Sequence, residues 1–367
     1  MSEQSTGPAT TGGGPDATGV QNPVAPSSDT VRVEQAAAAS EAEQSRGPGL
    51  MSGSFGRNIG LVVALVLICL AGVITAGDRF ASIDNMLTIL RLASVLGVVS
   101  IGMTFVITGG GIDLSVGAIL ALCSVWATTF ATQTMAQDTH WAVMVFAALA
   151  VGAGCGLVNG VIIAYGKVVP FVTTLAMLAA ARGLAEIISE RRTQIVTVDG
   201  FTDFFSADVA GVPFLVIIFA LVSAVGWVLF NRTTFGRRTL AVGGSPEAAR
   251  LAGINVNRHT VMLYVLVGLC CGIAALMLVS RTSTGSSTHG TLLELDAIAA
   301  VVIGGTLLSG GRGTIVGTLF GVLIFTTLNN VFTLNNQDIS TQAVAKGVII
   351  VVAVLLQQRL ARSATTT

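Results

Sequence analysis

Charged side chains are scarce in this chain of 367 residues, and that scarcity decides its class. Lys, Arg, Asp and Glu together make up 10% of the sequence, whereas soluble domains carry about 25%. The mean hydropathy is +0.80. These values exclude an ordinary soluble domain and predict an all-α integral membrane protein. The formal net charge is zero, so the composition predicts no attraction to nucleic acid.

Motifs for catalysis are missing as well. The chain has no G-x-x-x-x-G-K-[ST] phosphate loop, no H-E-x-x-H, no G-x-S-x-G and no C-x-x-C. Its five cysteines lie in apolar segments without the spacing of a metal site or a disulfide framework. We therefore expect a chain that is not an enzyme, holds no metal and has no cofactor of its own. Energy for uphill transport must then come from an ion gradient or from a partner.

Long apolar runs make up most of the chain, and a helix needs about 20 apolar residues to cross a membrane. Lys and Arg concentrate between alternate runs, which predicts that both termini are cytoplasmic. Because residues 1–56 lack apolar periodicity, we expect a disordered cytoplasmic tail there, then a membrane domain at 57–360 and a short cytoplasmic tail at 361–367. Ten spans are predicted, at 59–76, 86–107, 113–132, 141–165, 169–189, 212–230, 261–280, 292–309, 314–334 and 342–358.

Glycines recur at every fourth position in two places, 152–160 and 313–321. Small residues at this spacing let helix backbones approach closely in a membrane. Both series therefore predict tight packing between helices. The packing is expected inside one chain, and a seam between two copies of the chain is the alternative.

A polar, basic island at 231–260 separates two apolar runs and contains the signals of a very short helix. Ser245 has a hydroxyl that suits the N-cap, and Pro246 suits the first helical position. Gly253 suits the end of the helix, and the residues between them favour helix. Such a helix, too short to cross the membrane, predicts a docking element for another protein, and an ordinary basic loop is the alternative. The predicted docking helix comprises Ser245, Pro246, Glu247, Ala248, Ala249, Arg250, Leu251 and Gly253.

Four stretches, 102–122, 156–178, 233–256 and 294–321, carry a resemblance to a known family. Their G-I-D-L-S-V-G and L-S-G-G-R-G elements resemble the permease subunits of bacterial ABC importers of the ribose/xylose/galactose type, within the branched-chain amino acid/sugar permease superfamily. The resemblance implies a ten-helix bundle like that of vitamin B12 importers (type II) in the bacterial cytoplasmic membrane. It also implies a second, usually identical, permease subunit, a cytoplasmic partner that binds ATP and Mg, and an extracytoplasmic sugar-binding protein.

On this resemblance the helix at 245–253 is expected to couple the permease to the ATPase, through a polar pair at Glu247 and Arg250 and an apolar knob at Ala248, Ala249 and Leu251. A basic collar of Arg237 and Arg238 fits the ATPase surface or anionic lipid. We predict a shallow path for sugar hydroxyls at Asp113, Ser115, Asn159, Asn329 and Asn330. Helix capping and interhelical hydrogen bonds are the alternative role of these side chains. We predict an outer rim that receives the binding protein at Arg91, Arg182, Glu186, Arg281, Glu294 and Asp296. Interfacial anchoring or pairing within the chain is the alternative role of these residues.

Three other functions compete with sugar import at this point. An ABC permease for a non-sugar solute, such as a branched-chain amino acid or a nucleoside, shares the architecture. An ion-coupled secondary carrier would need no ATPase, although no chain of carboxylates runs through the spans. A membrane scaffold would transport nothing.

Overall fold

The computed structural model describes residues 54–338, 340–349 and 351. The predicted tails at 1–56 and 361–367 lie outside these residues, except that 54–56 already belong to the first helix. The described chain is almost entirely helical, as the composition predicted. Its helices are α1 Ser54–Ala76, α2 Asp78–Ala81, α3 Ile83–Thr108, α4 Val116–Ala127, α5 Phe130–Asp138, α6 Ala142–Ala164, α7 Pro170–Ile188, α8 Asp199–Ser206, α9 Phe214–Arg232, α10 Thr234–Gly244, α11 Pro246–Leu251, α12 Val256–Thr282, α13 Leu293–Ile303 and α14 Ile315–Leu334.

Four two-residue strands complete the regular structure within the described residues. They are β1 Gln194–Ile195, β2 Asp208–Val209, β3 Val212–Pro213 and β4 Thr284–Gly285. β1 pairs antiparallel with β4, so that Gln194 lies opposite Gly285, and β2 pairs antiparallel with β3 in a tight turn. The β1–β4 pair ties two distant connections together next to the end of α12.

Seven described helices are long and apolar enough to cross a membrane, and the α4–α5 pair, bent by 53°, makes an eighth if it is one span. The all-α membrane class is therefore confirmed, with fewer long helices than the ten predicted spans. The predicted span 292–309 becomes α13, which has 11 residues and rises about 16 Å, short of the roughly 30 Å of hydrocarbon. Of the predicted span 342–358, residues 342–349 are helical, and most of the remainder lies outside the described residues.

Both glycine series pack helices against each other within the chain. A Cβ at Gly152 or Gly156 of α6 would lie less than 3.0 Å from backbone atoms of α12, at Gly268 and Tyr264 respectively. In the second series, a Cβ at Gly321 of α14 would collide in the same way with the backbone of α13. The predicted packing inside one chain is thus present, and these helices touch backbone to backbone.

Two long helices are each followed by a non-helical stretch and then a short helix. We name 109–115, between α3 and α4, the first break, and 283–292, between α12 and α13, the second break. The second break runs antiparallel to α4, since Gly285 adjoins Ser124 near the end of that helix and Gly290 adjoins Gly117 near its start. The two short helices therefore begin close together in the interior of the bundle.

Candidate functional site

The predicted docking helix is present as α11, and its ends are formed as the sequence indicates. The Ser245 hydroxyl accepts a hydrogen bond from the Ala248 amide at 3.2 Å, which satisfies one of the free amides of the first turn. Gly253 ends the helix at φ +79°, and the amide of Ile254 donates to the Ala249 carbonyl at 3.0 Å. These contacts are local, so the short helix needs little support from its surroundings.

The exposed surface of α11 differs in one respect from the predicted knob. Leu251 is 86% exposed, but Ala249 is only 3% exposed and packs with Val242 and Val256. Ala249 therefore packs the helix against the bundle, whereas it was predicted on the exposed knob. Glu247 and Arg250, predicted to meet a partner, form an ion pair with each other at 2.9 Å.

An open groove extends the surface of α11 towards the start of α12. Lys167 enters it from the α6–α7 connection and donates from Nζ to Asn257 Oδ1 at 3.1 Å. The groove brings the cations of Lys167 and Arg250 to one surface at the end of α11. Its lining residues are Lys167, Arg250, Gly253, Ile254, Asn255, Val256 and Asn257.

The island that carries α11 also contains a second helix, α10, which the sequence reasoning treated as loop. Thr233 caps α10 by accepting from the Phe235 amide, and Gly236, Thr239 and Val242 are buried at a spacing of three residues. That spacing was a readable signal. Arg237 and Arg238 lie on the exposed side, where the collar was predicted.

A buried hydrogen bond joins α10 to α12 below this surface. Thr239 Oγ1 lies 2.9 Å from His259 Nε2, and the rings of Phe235 and His259 are 4.8 Å apart. Phe235 also contacts Phe105 of α3, with ring centroids 5.8 Å apart. The short helix α11 is thus attached to the rest of the bundle through α10, which is packed against α3 and α12.

Three of the five predicted path residues meet in one buried cluster. Ser115 donates to Asp113 Oδ1 from its amide at 2.8 Å and from its hydroxyl at 2.5 Å. Asn159 Nδ2 donates to Ser115 Oγ at 3.0 Å. All three side chains have zero exposure, while Asp113 Oδ2 and Asn159 Oδ1 find no hydrogen-bond partner among the described residues. The first break is therefore lined by two acceptor oxygens with unused capacity.

The other two path residues lie elsewhere. Asn330 of α14 exchanges hydrogen bonds with Asn85, at 3.1 and 2.7 Å, and Asn85 is at the opposite end of α3, about 35 Å from Thr108 by helix rise. Asn329 adjoins Asn330 on α14. The structure gives Asn330 an interhelical contact, the alternative stated above, and its part in a path stays a prediction.

Three of the six predicted rim residues form ion pairs within the chain. Arg91 lies 3.8 Å from Asp208, Glu186 lies 3.1 Å from Arg191 and Asp296 lies 3.2 Å from Lys346. The remaining residues differ in exposure, since Arg281 is exposed and Glu294 is buried. A docking role for these groups stays a prediction, and any partner would compete with the existing pairs.

Arg182 has an unexpected role among the rim residues. Its guanidinium donates to the carbonyl of Ser287 and, at 2.9 Å, to that of His289. Both carbonyls belong to the second break, which forms no helical hydrogen bonds of its own at these positions. Arg182 thus holds an irregular backbone in place from a neighbouring helix.

Metal chemistry finds no support in the part of the chain that the structure describes. No group of three or more His, Cys, Asp or Glu side chains there could hold a metal ion. All five cysteines lie in the described residues, where their thiols are free and at buried or half-buried positions.

Similarity to known proteins extends across nearly all of this helical region. A family model described as "Branched-chain amino acid transport system / permease component" matches residues 85–355. The ribose import permease protein RbsC of Bacillus subtilis is 40% identical to this chain, over 82% of this chain and 91% of RbsC. The ribose import permease protein RbsC of Escherichia coli is 41% identical, over 82% of this chain and 92% of RbsC. The fructose import permease protein FrcC of Rhizobium meliloti is 36% identical, over 81% of this chain and 84% of FrcC. No solved structure matches the chain significantly.

The extent of these matches settles the relationship. The family model covers far more than half of the sequence, and the relatives are covered over most of their own length as well. The chain belongs to the family of branched-chain amino acid transport system permease components.

Proposed function

We propose that this chain is the membrane-spanning subunit of an ATP-driven importer of a monosaccharide. The similar proteins named above are import permeases for ribose and fructose, and a galactose/methyl galactoside import permease of Escherichia coli is 34% identical over 81% of the chain. Sugar import is therefore favoured over import of a non-sugar solute. A secondary carrier or a scaffold has no such support.

The observation that carries the proposal is α11. This helix presents Leu251 and an internal ion pair to the outside of the bundle, and Ala249 and α10 fasten it to the membrane domain. A cytoplasmic ATP-binding partner that seats Leu251 in an apolar socket could move α11 when its halves close on ATP. The partner binds ATP and Mg, and the permease converts the displacement into a change of access.

The rest of the assembly follows from the same proposal. Two copies of the chain enclose the path, each forming a bundle of about ten membrane segments of the vitamin B12-importer type, in which α13 is a segment too short to cross alone. Both termini lie in the cytoplasm. A binding protein delivers the sugar to the other side. Affinity resides in that protein, so the permease needs only weak polar contacts, and the unpaired oxygens of Asp113 and Asn159 can accept hydrogen bonds from sugar hydroxyls as they pass.

Replacing Leu251 by aspartate tests the proposal. Because a carboxylate in an apolar socket is costly to desolvate, we expect L251D to lose ATP-binding protein on co-purification and to reduce sugar uptake at least tenfold. The measurement uses proteoliposomes with the permease, its ATPase and its binding protein, with ribose, fructose and galactose each as substrate. L251M, which keeps an apolar side chain of similar size, is the control and should retain both properties.

The result that would overturn the proposal is normal co-purification and uptake in L251D. Uptake that persists without ATP and collapses with an ionophore would instead identify a secondary carrier.

A further inference from the structure

Three glycine-containing segments meet beside α11. They are the turn after α3, the last two residues of α10 and the connection between α13 and α14. The amide of Gly311 donates to the carbonyl of Thr108 at 2.9 Å, which joins the first segment to the third. We name Gly110, Gly243, Gly310 and Gly311 the glycine junction.

The segments touch through their backbones. A Cβ at Gly243 would lie 2.7 Å from the Gly311 nitrogen and closer still to the Thr108 carbonyl oxygen. A Cβ at Gly310 would lie 2.8 Å from the carbonyl oxygen of Gly243 and 2.9 Å from the Cα of Gly110. Backbone atoms cannot rotate out of the way as a side chain can, so such a contact transmits displacement with little give.

The junction stands between α11 and the parts of the bundle that change direction. Ser245 alone separates α10 from α11, and its amide donates to Ala241 of α10 at 3.0 Å, so the two helices move together. On the far side, Thr108 is the last residue of α3, and the first break, which contains Asp113, follows it directly. Gly311 lies four residues before the start of α14.

We propose that the glycine junction carries the displacement of α11 to the first break and to the start of α14, making Gly243 a positioning residue for transport. The proposal rests on the function proposed above, in which an ATP-binding partner moves α11. It adds that the force enters the bundle by backbone contact at Gly243, and that the Asp113 cluster and α14 receive it together.

A pair of neighbouring glycines provides the test. Gly243 and Gly244 are both at the end of α10, yet a Cβ at Gly244 would have its nearest contact at 4.0 Å, an ordinary van der Waals distance. We expect G243A to bind the ATPase as the wild type does while sugar uptake per bound ATPase falls at least tenfold. G244A, the matched control with the same change in helix propensity, should stay within twofold of the wild type.

The outcomes distinguish a failure of the glycine junction from a failure of docking at α11. Wild-type uptake in G243A, with the ATPase bound, overturns the junction and leaves docking at α11 intact. Normal ATPase binding and uptake in L251D overturns docking at α11. Uptake is measured with whichever of ribose, fructose and galactose the wild-type assembly transports, and thermal unfolding in detergent establishes that each variant is folded.

A second variant decides the matter if G243A does not fold. A Cβ at Gly313 would collide with Oγ1 of Thr108, a side-chain atom with no hydrogen-bond partner among the described residues. We expect G313A to reduce uptake and T108A, which removes that oxygen, to restore it at least fivefold in the double variant. Wild-type uptake in G313A, or no recovery in the double variant, overturns the junction.

Discussion

The two breaks in the helical bundle are held in different ways. The first break, 109–115, is built around the buried Asp113–Ser115–Asn159 cluster, and the hydroxyls of Thr174 and Tyr264 also donate to its Ile112 carbonyl. The second break, 283–292, contains hydroxyl bonds between Ser286, Thr288 and Thr291. Its strand β4 pairs with β1, and Arg182 of α7 donates to its carbonyls. The first break is thus centred on a buried carboxylate, whereas the second adds a charged donor from a neighbouring helix to its strand pairing and its local hydroxyl bonds.

Removing Arg182 should have the largest effect on this contrast. R182L leaves the carbonyls of Ser287 and His289 without their charged donor, and hydrogen bonds to charged groups contribute about 1.5–3 kcal/mol each. We expect the free energy of unfolding in detergent to fall by about 3 kcal/mol. R191L, which removes the exposed pair with Glu186, is the control and should cost less than about 1 kcal/mol. Equal losses in the two variants would mean that the second break does not depend on Arg182.

Changing Asp113 probes the first break and should have an intermediate effect. D113A leaves the amide and hydroxyl of Ser115 buried without their acceptor, which costs about 2 kcal/mol. D113N keeps an acceptor oxygen at the Oδ1 position and should lose less than half as much. Chemical denaturation of the purified protein measures both variants. If D113N is as unstable as D113A, the carboxylate charge and not the hydrogen bonds holds this break.

The smallest effect is expected where α4 contacts the second break. Ser124 of α4 donates to the Ser286 carbonyl at 3.3 Å and lies 3.2 Å from His289 Nδ1. S124A should cost about 1 kcal/mol in thermal unfolding, and S94A, whose hydroxyl bonds only within its own helix, should cost less. Because Ser124 and Arg182 hold the same stretch, the double variant S124A/R182L should be non-additive. Strict additivity would show that the two contacts act independently.

Features set by neighbouring residues were predictable from the sequence. The ends of α11 follow from Ser245, Pro246 and Gly253, each of which acts within one turn of its own position. The all-α class follows from the scarcity of charge. The number of long spans was harder to predict, because hydropathy does not distinguish apolar residues that face lipid from apolar residues that are buried by protein. The run at 292–309 is apolar partly because α13 is buried by protein, so its helix can be short.

Features set by distant residues could not be predicted. Arg182 is 107 residues from His289, and its single charge in an apolar run suggested an exposed rim as readily as a backbone clamp. Ala249 was expected on the outside of α11, since the local pattern does not tell which side faces α10 and α12. The sequence also did not show that the Asp113 cluster and Asn330 lie near opposite ends of α3. Their positions depend on how α3 and α14 pack.

The backbone contacts between α6 and α12 bear on where this molecule can bend. Gly152 and Gly156 bring the two helices so close that one cannot slide or roll on the other without steric overlap. Together they form a rigid body that any conformational cycle must move as a unit. Bending is then left to the stretches with irregular backbone outside this pair, and 109–115 and 283–292 are two of them.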